Sequence, residues 1–301
     1  MNAVKQKDHR ISRRTRGVLL IITSAFCFAL MSTFVRLAGD LPSTHKAFFR
    51  NLVALIFALI ILRKERIPFR PQSRSNLSAL ILRSALGTLG ILGNFYAVDH
   101  LLLADASMLN KLSPFFAVLF SYLFLKEKLT PFQALTIAAA FVGSLFVIKP
   151  SFTDLSSLPA FAAFGGGVCA GAAYTAVRYA GSRGEKGPFI VAFFSGFSTV
   201  CFLPFLIADP QPMSAGQVAF LIAAGLAAAG GQFTITAAYT CAPAKEISVY
   251  DYTQLIFTTL IGFTLFGDKP DVYSFIGYAV ILSAAVASFI RERKRAATEE
   301  R

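Results

Sequence analysis

The stretch LSPFFAVLFSYLFLKEKLT (residues 112–130) has a counterpart 141 positions later, TQLIFTTLIGFTLFGDKPD (residues 253–271). Each is an apolar run that closes on an acidic residue followed by lysine: Glu127-Lys128 in the first, Asp268-Lys269 in the second. The same offset sets Gly90 against Gly231, Ala97 against Ala238 and Phe124 against Leu265, and keeps Val147 in register with Ser288. An acidic–lysine pair that ends an apolar run twice at one offset marks an internal repeat.

Outward from these two runs the chain is apolar almost throughout. Its 301 residues are 55% hydrophobic and only 15% charged, with a mean hydropathy of +0.61. Soluble domains carry about 25% charge, and a chain this apolar lacks the polar surface to cover itself in water. A bilayer removes that demand, and a span needs roughly 20 apolar residues. Apolar runs bounded by charge, proline or glycine predict ten spans: 17–38, 45–62, 77–98, 104–124, 131–148, 158–180, 188–207, 217–240, 244–266 and 272–290. The expected fold is therefore an all-α membrane protein of ten transmembrane helices. Its parts are a tail (1–16), two five-helix repeats (17–150 and 151–290) and a second tail (291–301).

The net charge of +13 does not indicate a nucleic-acid partner, because the basic residues fall in the tails and in alternate gaps. Of 29 lysines and arginines, only Lys46, Lys149 and Lys269 occupy the opposite gaps, and Arg36, Arg50, Arg83 and Lys111 fall within spans. This bias predicts that both termini are cytoplasmic in a cell (inner or plasma) membrane. The basic tail with Arg13-Arg14 leads into a run too long for a signal peptide. The cysteines Cys27, Cys169, Cys201 and Cys241 form no CxxC pair and read as packing residues, and no metal or cofactor motif is present.

Five spans per repeat force the halves to enter the membrane from opposite sides. Inverted repeats are the design by which many secondary transporters alternate access around a site near the midplane. Charge inside the bilayer marks that site by default. Lys111 and Asp251 each lie seven residues into their spans, roughly 10 Å deep. Asp251 is the only acidic residue well inside a span, and the offset places it opposite Asn110. The expected substrate-binding set is Lys111, Asp251, Asn94, Tyr96, Asn110, Ser113, Tyr174, Tyr250, Tyr252 and Gln254. Such a mix of rings and polar groups suits an amphipathic solute bearing an amine or a ring. Two bland roles compete with it: a salt bridge that merely ties the halves together, and interhelical hydrogen bonding. Arg50 and Arg83 are read as binding backbone carbonyls or lipid phosphate, and Arg36 as reaching for headgroups.

A membrane-embedded transferase is the rival class. That chemistry draws on clustered acids or histidines. The chain has only His9, His45 and His100, and no DDxxD or HxxxD. A non-catalytic permease subunit is a further alternative. The expected partners are a small-molecule substrate, the bilayer and a coupling proton, with homodimerisation left open and no nucleic acid.

The motifs HKAFFRNL (residues 45–52), LRSALGTLG (82–90), NFYAVDHLLLADASMLNKLSPFFAVLFSYLFLKEKLT (94–130), FVGSLFVIKP and LFGDKPDVYSFIGYAVI resemble the EamA-domain members of the drug/metabolite transporter superfamily. That resemblance covers nearly the whole chain. It implies a ten-helix inverted-repeat fold, a cavity between helices 1, 3, 4, 6, 8 and 9, and no enzymatic activity. It also implies carriage of an amino acid or an S-adenosylmethionine-like solute. The second half departs from the family pattern, with Asp251, Tyr252 and Gln254 opposite residues 110–113 and no proline after them.

Overall fold

The computed structural model describes residues 13–100, 109–148, 158–267 and 270–299. Most of the first tail, the start of the expected fourth span with Ala104 and Ala106, the 149–157 link and the Asp268-Lys269 pair lie outside the described residues.

Among the described residues the main helices are α1 (Arg13–Leu37), α2 (Ser43–Lys64), α3 (Arg74–His100), α4 (Ser113–Leu125) and α5 (Pro131–Ile148) in the first half. The second half holds α6 (Leu158–Ser182), α7 (Gly187–Ala208), α8 (Ala215–Cys241), α9 (Thr253–Phe266) and α10 (Val272–Glu299). Seven of these, α1–α3, α6–α8 and α10, are long and apolar enough to cross a membrane. Large apolar side chains such as Leu19, Ile60, Phe124, Leu135, Phe161, Val200 and Leu260 stand on the outside, as a hydrocarbon solvent favours. The chain is an all-helical, multi-pass membrane protein. One difference lies at its end, where α10 runs on to Glu299 through residues expected to form a tail.

The packing follows the repeat. Helix α1 packs on α8 and α3 on α6; α2 faces α7 and α5 faces α10; α4 lies on α6 and α9 on α1. Exchanging each helix for the one five later converts this set of pairs into itself. With five helices per half, the exchange is that of an inverted repeat. The crossings are close because they are lined by small residues. A Cβ on Gly93 of α3 would meet the Ala162 carbonyl oxygen of α6 at 2.4 Å. One on Gly171 of α6 would meet Phe116 Cβ of α4 at 2.5 Å.

The fourth and ninth spans are interrupted at matching places, which corrects the expectation of continuous helices over 104–124 and 244–266. Before α4, Asn110 is helical, Lys111 and Leu112 form a turn, and the helix restarts at Ser113. Pro114 has no N–H to return to Asn110, so a helix cannot run through unbroken; near a new N-terminus the loss is harmless. Before α9, a short helix (Ala244–Ile247) passes into a 3-10 turn (Ser248–Tyr252). No proline causes this break. The Thr253 hydroxyl donates to the Tyr250 carbonyl at 2.7 Å, a local bond of the kind that competes with the helical ladder. At 13 and 14 residues, α4 and α9 are about 20 Å long, too short to cross a core of about 30 Å alone.

Both short helices also end alike, on a left-handed residue: Lys126 (φ 55°) after α4 and Gly267 (φ 69°) after α9. These positions are again 141 apart. Glycine adopts this conformation freely, whereas lysine is penalised by its Cβ. Lys126→Gly is expected to stabilise the protein by about 1 kcal/mol, read as a higher thermal unfolding midpoint in detergent.

Candidate functional site

The two breaks meet. The Lys111 ammonium lies 3.2 Å from Asp251 Oδ2 and donates to Gln254 Oε1 at 2.8 Å. The Tyr252 hydroxyl donates to the Lys111 backbone carbonyl at 3.0 Å, an oxygen that the turn leaves outside the helical ladder. Lys111 and Asp251 are 7% and 8% exposed, and Tyr252 is fully buried. Taking two ions out of water costs several kcal/mol each, and their attraction offsets this only with further hydrogen bonds. Gln254 supplies one, and the start of α9 supplies a favourable dipole for the Asp251 carboxylate. The N-terminal ends of α4 and α9, one from each repeat, thus converge on one buried pair.

Around the pair, Ser113 and Tyr250 are buried and Asn110 is half-buried. Tyr174 of α6 stacks flat on Tyr239 of α8, with centroids 4.8 Å apart and planes 5° apart. The Tyr239 hydroxyl faces Ser248 Oγ at 3.5 Å. Tyr174 is within electrostatic range of Asp251. Asn94 and Tyr96 on α3, half-buried and exposed, lie outside the Lys111–Asp251–Gln254 bonding network. Of the expected set, hydrogen bonds join Lys111, Asp251, Tyr252 and Gln254. Tyr239, which the sequence offers among the surrounding polar and aromatic groups though outside that set, lies beside Tyr174.

Toward the end of the bundle that carries Arg14, α6 and α8 are tied to the α4–α5 connection. Arg178 Nε donates to Glu127 Oε1 at 3.0 Å, and Arg178 Nη1 to the Thr240 carbonyl at 3.4 Å. Lys245 Nζ donates to the Lys128 carbonyl at 2.6 Å, and Arg14 pairs with Glu246 at 3.5 Å. Arg178 and Glu127 come from different repeats, so this contact closes one end of the seam between them. From sequence, Arg178 reads either as one of the polar groups around the pair or as a boundary charge, and Glu127 as the end of an apolar run. At the other end, the Arg36 guanidinium lies 4.0 Å from the Phe266 ring centroid.

Of the two partners expected for Arg50 and Arg83, backbone carbonyls or lipid phosphate, no backbone carbonyl among the described residues hydrogen-bonds either group. Among the described residues the contacts of their guanidinium groups are with ring faces: Phe28 at 5.9 Å for Arg50 and Phe194 at 3.8 Å for Arg83. An open groove of about 520 Å³ between α5 and α10, lined by residues such as Phe132, Leu135, Ile276 and Val280, is apolar and contains none of the site residues.

The sequence profile of the EamA-like transporter family matches residues 15–149 and again residues 157–290. The chain is 29% identical to the pseudopaline exporter CntI of Pseudomonas aeruginosa over 273 residues, 90% of this chain and 95% of that one. It is 28% identical to a riboflavin transporter of Brucella anthropi, over 88% of this chain and 95% of the relative. It is 25% identical to human solute carrier family 35 member G1, over 92% and 79%. A solved crystal structure at 15% identity superposes with a TM-score of 0.81 over 92% of this chain and 98% of the other, which shows the fold. The chain belongs to the EamA-like transporter family, as a two-repeat member and a transporter rather than an enzyme.

Proposed function

We propose that this secondary transporter moves a small amphipathic organic solute, of the amino-acid or S-adenosylmethionine-like type, by alternating access around Lys111 and Asp251. The observation that carries this is the buried ion pair at the meeting point of two interrupted helices from opposite repeats. Interrupted helices whose ends face the midplane are how transporters present unpaired backbone and dipoles to a substrate. A solute with both charges can replace each partner: its anion takes Lys111 and its amine takes Asp251. The stacked Tyr174 and Tyr239 offer ring faces to an apolar or cationic portion. The relatives carry chemically different cargo, pseudopaline in one and riboflavin in another, so the pocket residues of this chain must set its own choice. Thermal-shift screening of purified protein against amino acids, sulfonium compounds and neutral ring compounds tests the class. Stabilisation by zwitterions that is lost in Lys111→Met supports it; stabilisation by neutral ring compounds alone contradicts it.

The termini are cytoplasmic in this account, in the inner or plasma membrane, following the basic-residue bias. The Arg178–Glu127 contact is then an inner gate, and the structure is the inward-closed state. Arg178→Ala is expected to let a membrane-impermeant maleimide label Ser113→Cys from the tail side about tenfold faster, on a background lacking native cysteines. The estimate is one charge-assisted hydrogen bond lost from the closed state. Unchanged labelling would remove Arg178 from the gate. A proton is the coupling ion to test first, because Asp251 is the deeply placed carboxylate available to carry it.

A further inference from the structure

Arg83 lies ten residues into α3 and is 3% exposed. Among the described residues its Nε–H has no acceptor, and no oxygen hydrogen-bonds or ion-pairs with its guanidinium. Its contact is the face of Phe194 on α7. Gly87, one turn along α3, makes room for the group: a Cβ there would overlap Arg83 Nη1 at 2.1 Å. Arg50 on α2, half-buried, is within electrostatic range and adds a second positive charge without a carboxylate partner. Tyr174 lies within range of both arginines and of Asp251. The Lys111–Asp251 pair is neutral as a unit, so among the described residues Arg83 and Arg50 have no carboxylate that compensates them.

An unpaired buried charge costs several kcal/mol, and a fold that keeps one has a binding partner for it or forfeits stability for nothing. A guanidinium offers a planar fork of donors that matches a carboxylate. We infer that Arg83, assisted by Arg50, is an anion subsite that receives the carboxylate of the transported solute across Tyr174 from the Lys111–Asp251 pair. This rests on the transporter reading of that pair and revises one part of it: the carboxylate goes to Arg83 rather than to Lys111, and the Lys111–Asp251 pair meets a second polar group at the far end of the solute.

The test uses full-length protein with 15Nε-labelled arginine in phosphatidylcholine nanodiscs, and benzoate, benzamide and inorganic phosphate as probes. Arg83→Gln identifies the Arg83 resonance by its disappearance. Benzoate is expected to shift that resonance saturably, and neutral benzamide to leave it in place. Gly87→Ala, which crowds Nη1, is expected to weaken benzoate binding by about tenfold or more, the loss of one charge-assisted hydrogen bond. Arg83→Gln is expected to unfold at the wild-type temperature or higher, because it removes an unpaired charge. No saturable shift with benzoate, or an equal response to benzamide, would overturn the subsite. So would phosphate binding more tightly than benzoate. A marked loss of stability in Arg83→Gln without a benzoate response assigns a structural role instead. A resonance already shifted in phosphatidylglycerol discs and insensitive to benzoate assigns a lipid headgroup, which also overturns the proposal. Benzoate binding in a protein that moves no solute would sink the carrier reading and leave the anion subsite standing. Solute transport at wild-type rate in Arg83→Gln would do the reverse.

Discussion

Asp251→Asn is expected to abolish concentrative transport while the protein still assembles in the membrane. Asparagine keeps the shape of the side chain and an oxygen for Lys111, 3.2 Å away. What it removes is the negative charge that balances a cation buried to 7% exposure. Leaving one member of a buried pair uncompensated costs about 3–5 kcal/mol, about a hundredfold or more in rate if it falls on the transport cycle. The substituted site also has no carboxylate to take up and release a proton. Gln254 and the Tyr252 bond to the Lys111 carbonyl remain, so the two helix breaks stay joined and folding survives. Uptake rate and its pH dependence in reconstituted vesicles check this, with gel filtration to confirm assembly. Wild-type rates and pH dependence would take Asp251 out of the mechanism.

Gly171→Val is expected to lower the stability of the fold. At this crossing the added Cβ meets Phe116 Cβ at 2.5 Å and the Ala117 backbone nitrogen at 2.8 Å. A backbone atom cannot rotate away as a flexible side chain can, so α4 and α6 must separate. Overpacking of this kind costs about 1–3 kcal/mol, about 2–5 °C in unfolding midpoint for a chain of this size. Gly165 is the control, because a Cβ there meets nothing within 4 Å. Gly165→Val unfolding at the same lowered temperature would show that valine in α6, rather than the crossing, is responsible.

Much of this architecture was legible because lipid imposes one demand on every span. Apolar length and the basic-residue alternation located the helices, and the 141-residue offset paired them before any packing was seen. The Lys111–Asp251 contact was legible for a related reason: few charges lie deep in the spans, and the repeat set these two side by side. Residues 104–124 and 244–266 each read as one helix; Pro114 explains the break before α4 once it is seen, whereas the break before α9 has no proline. Its cause lies in hydrogen bonds local to the 3-10 turn, which leave no periodic trace. Arg178 and Glu127 could not be matched from sequence, because charges at span ends are common and 51 residues separate the two. Arg83 was assigned to carbonyls or phosphate since sequence shows that a charge is buried, and only coordinates show that, among the described residues, it faces a ring and no oxygen.

Proteoliposomes containing the purified protein, loaded without ATP and given a proton gradient, test the carrier account most directly. Labelled zwitterionic solutes should accumulate beyond equilibrium, and the accumulation should vanish on collapsing the gradient and in Asp251→Asn. Equilibration without accumulation, equal in wild type and Asp251→Asn, would make the protein a passive pore and contradict the account.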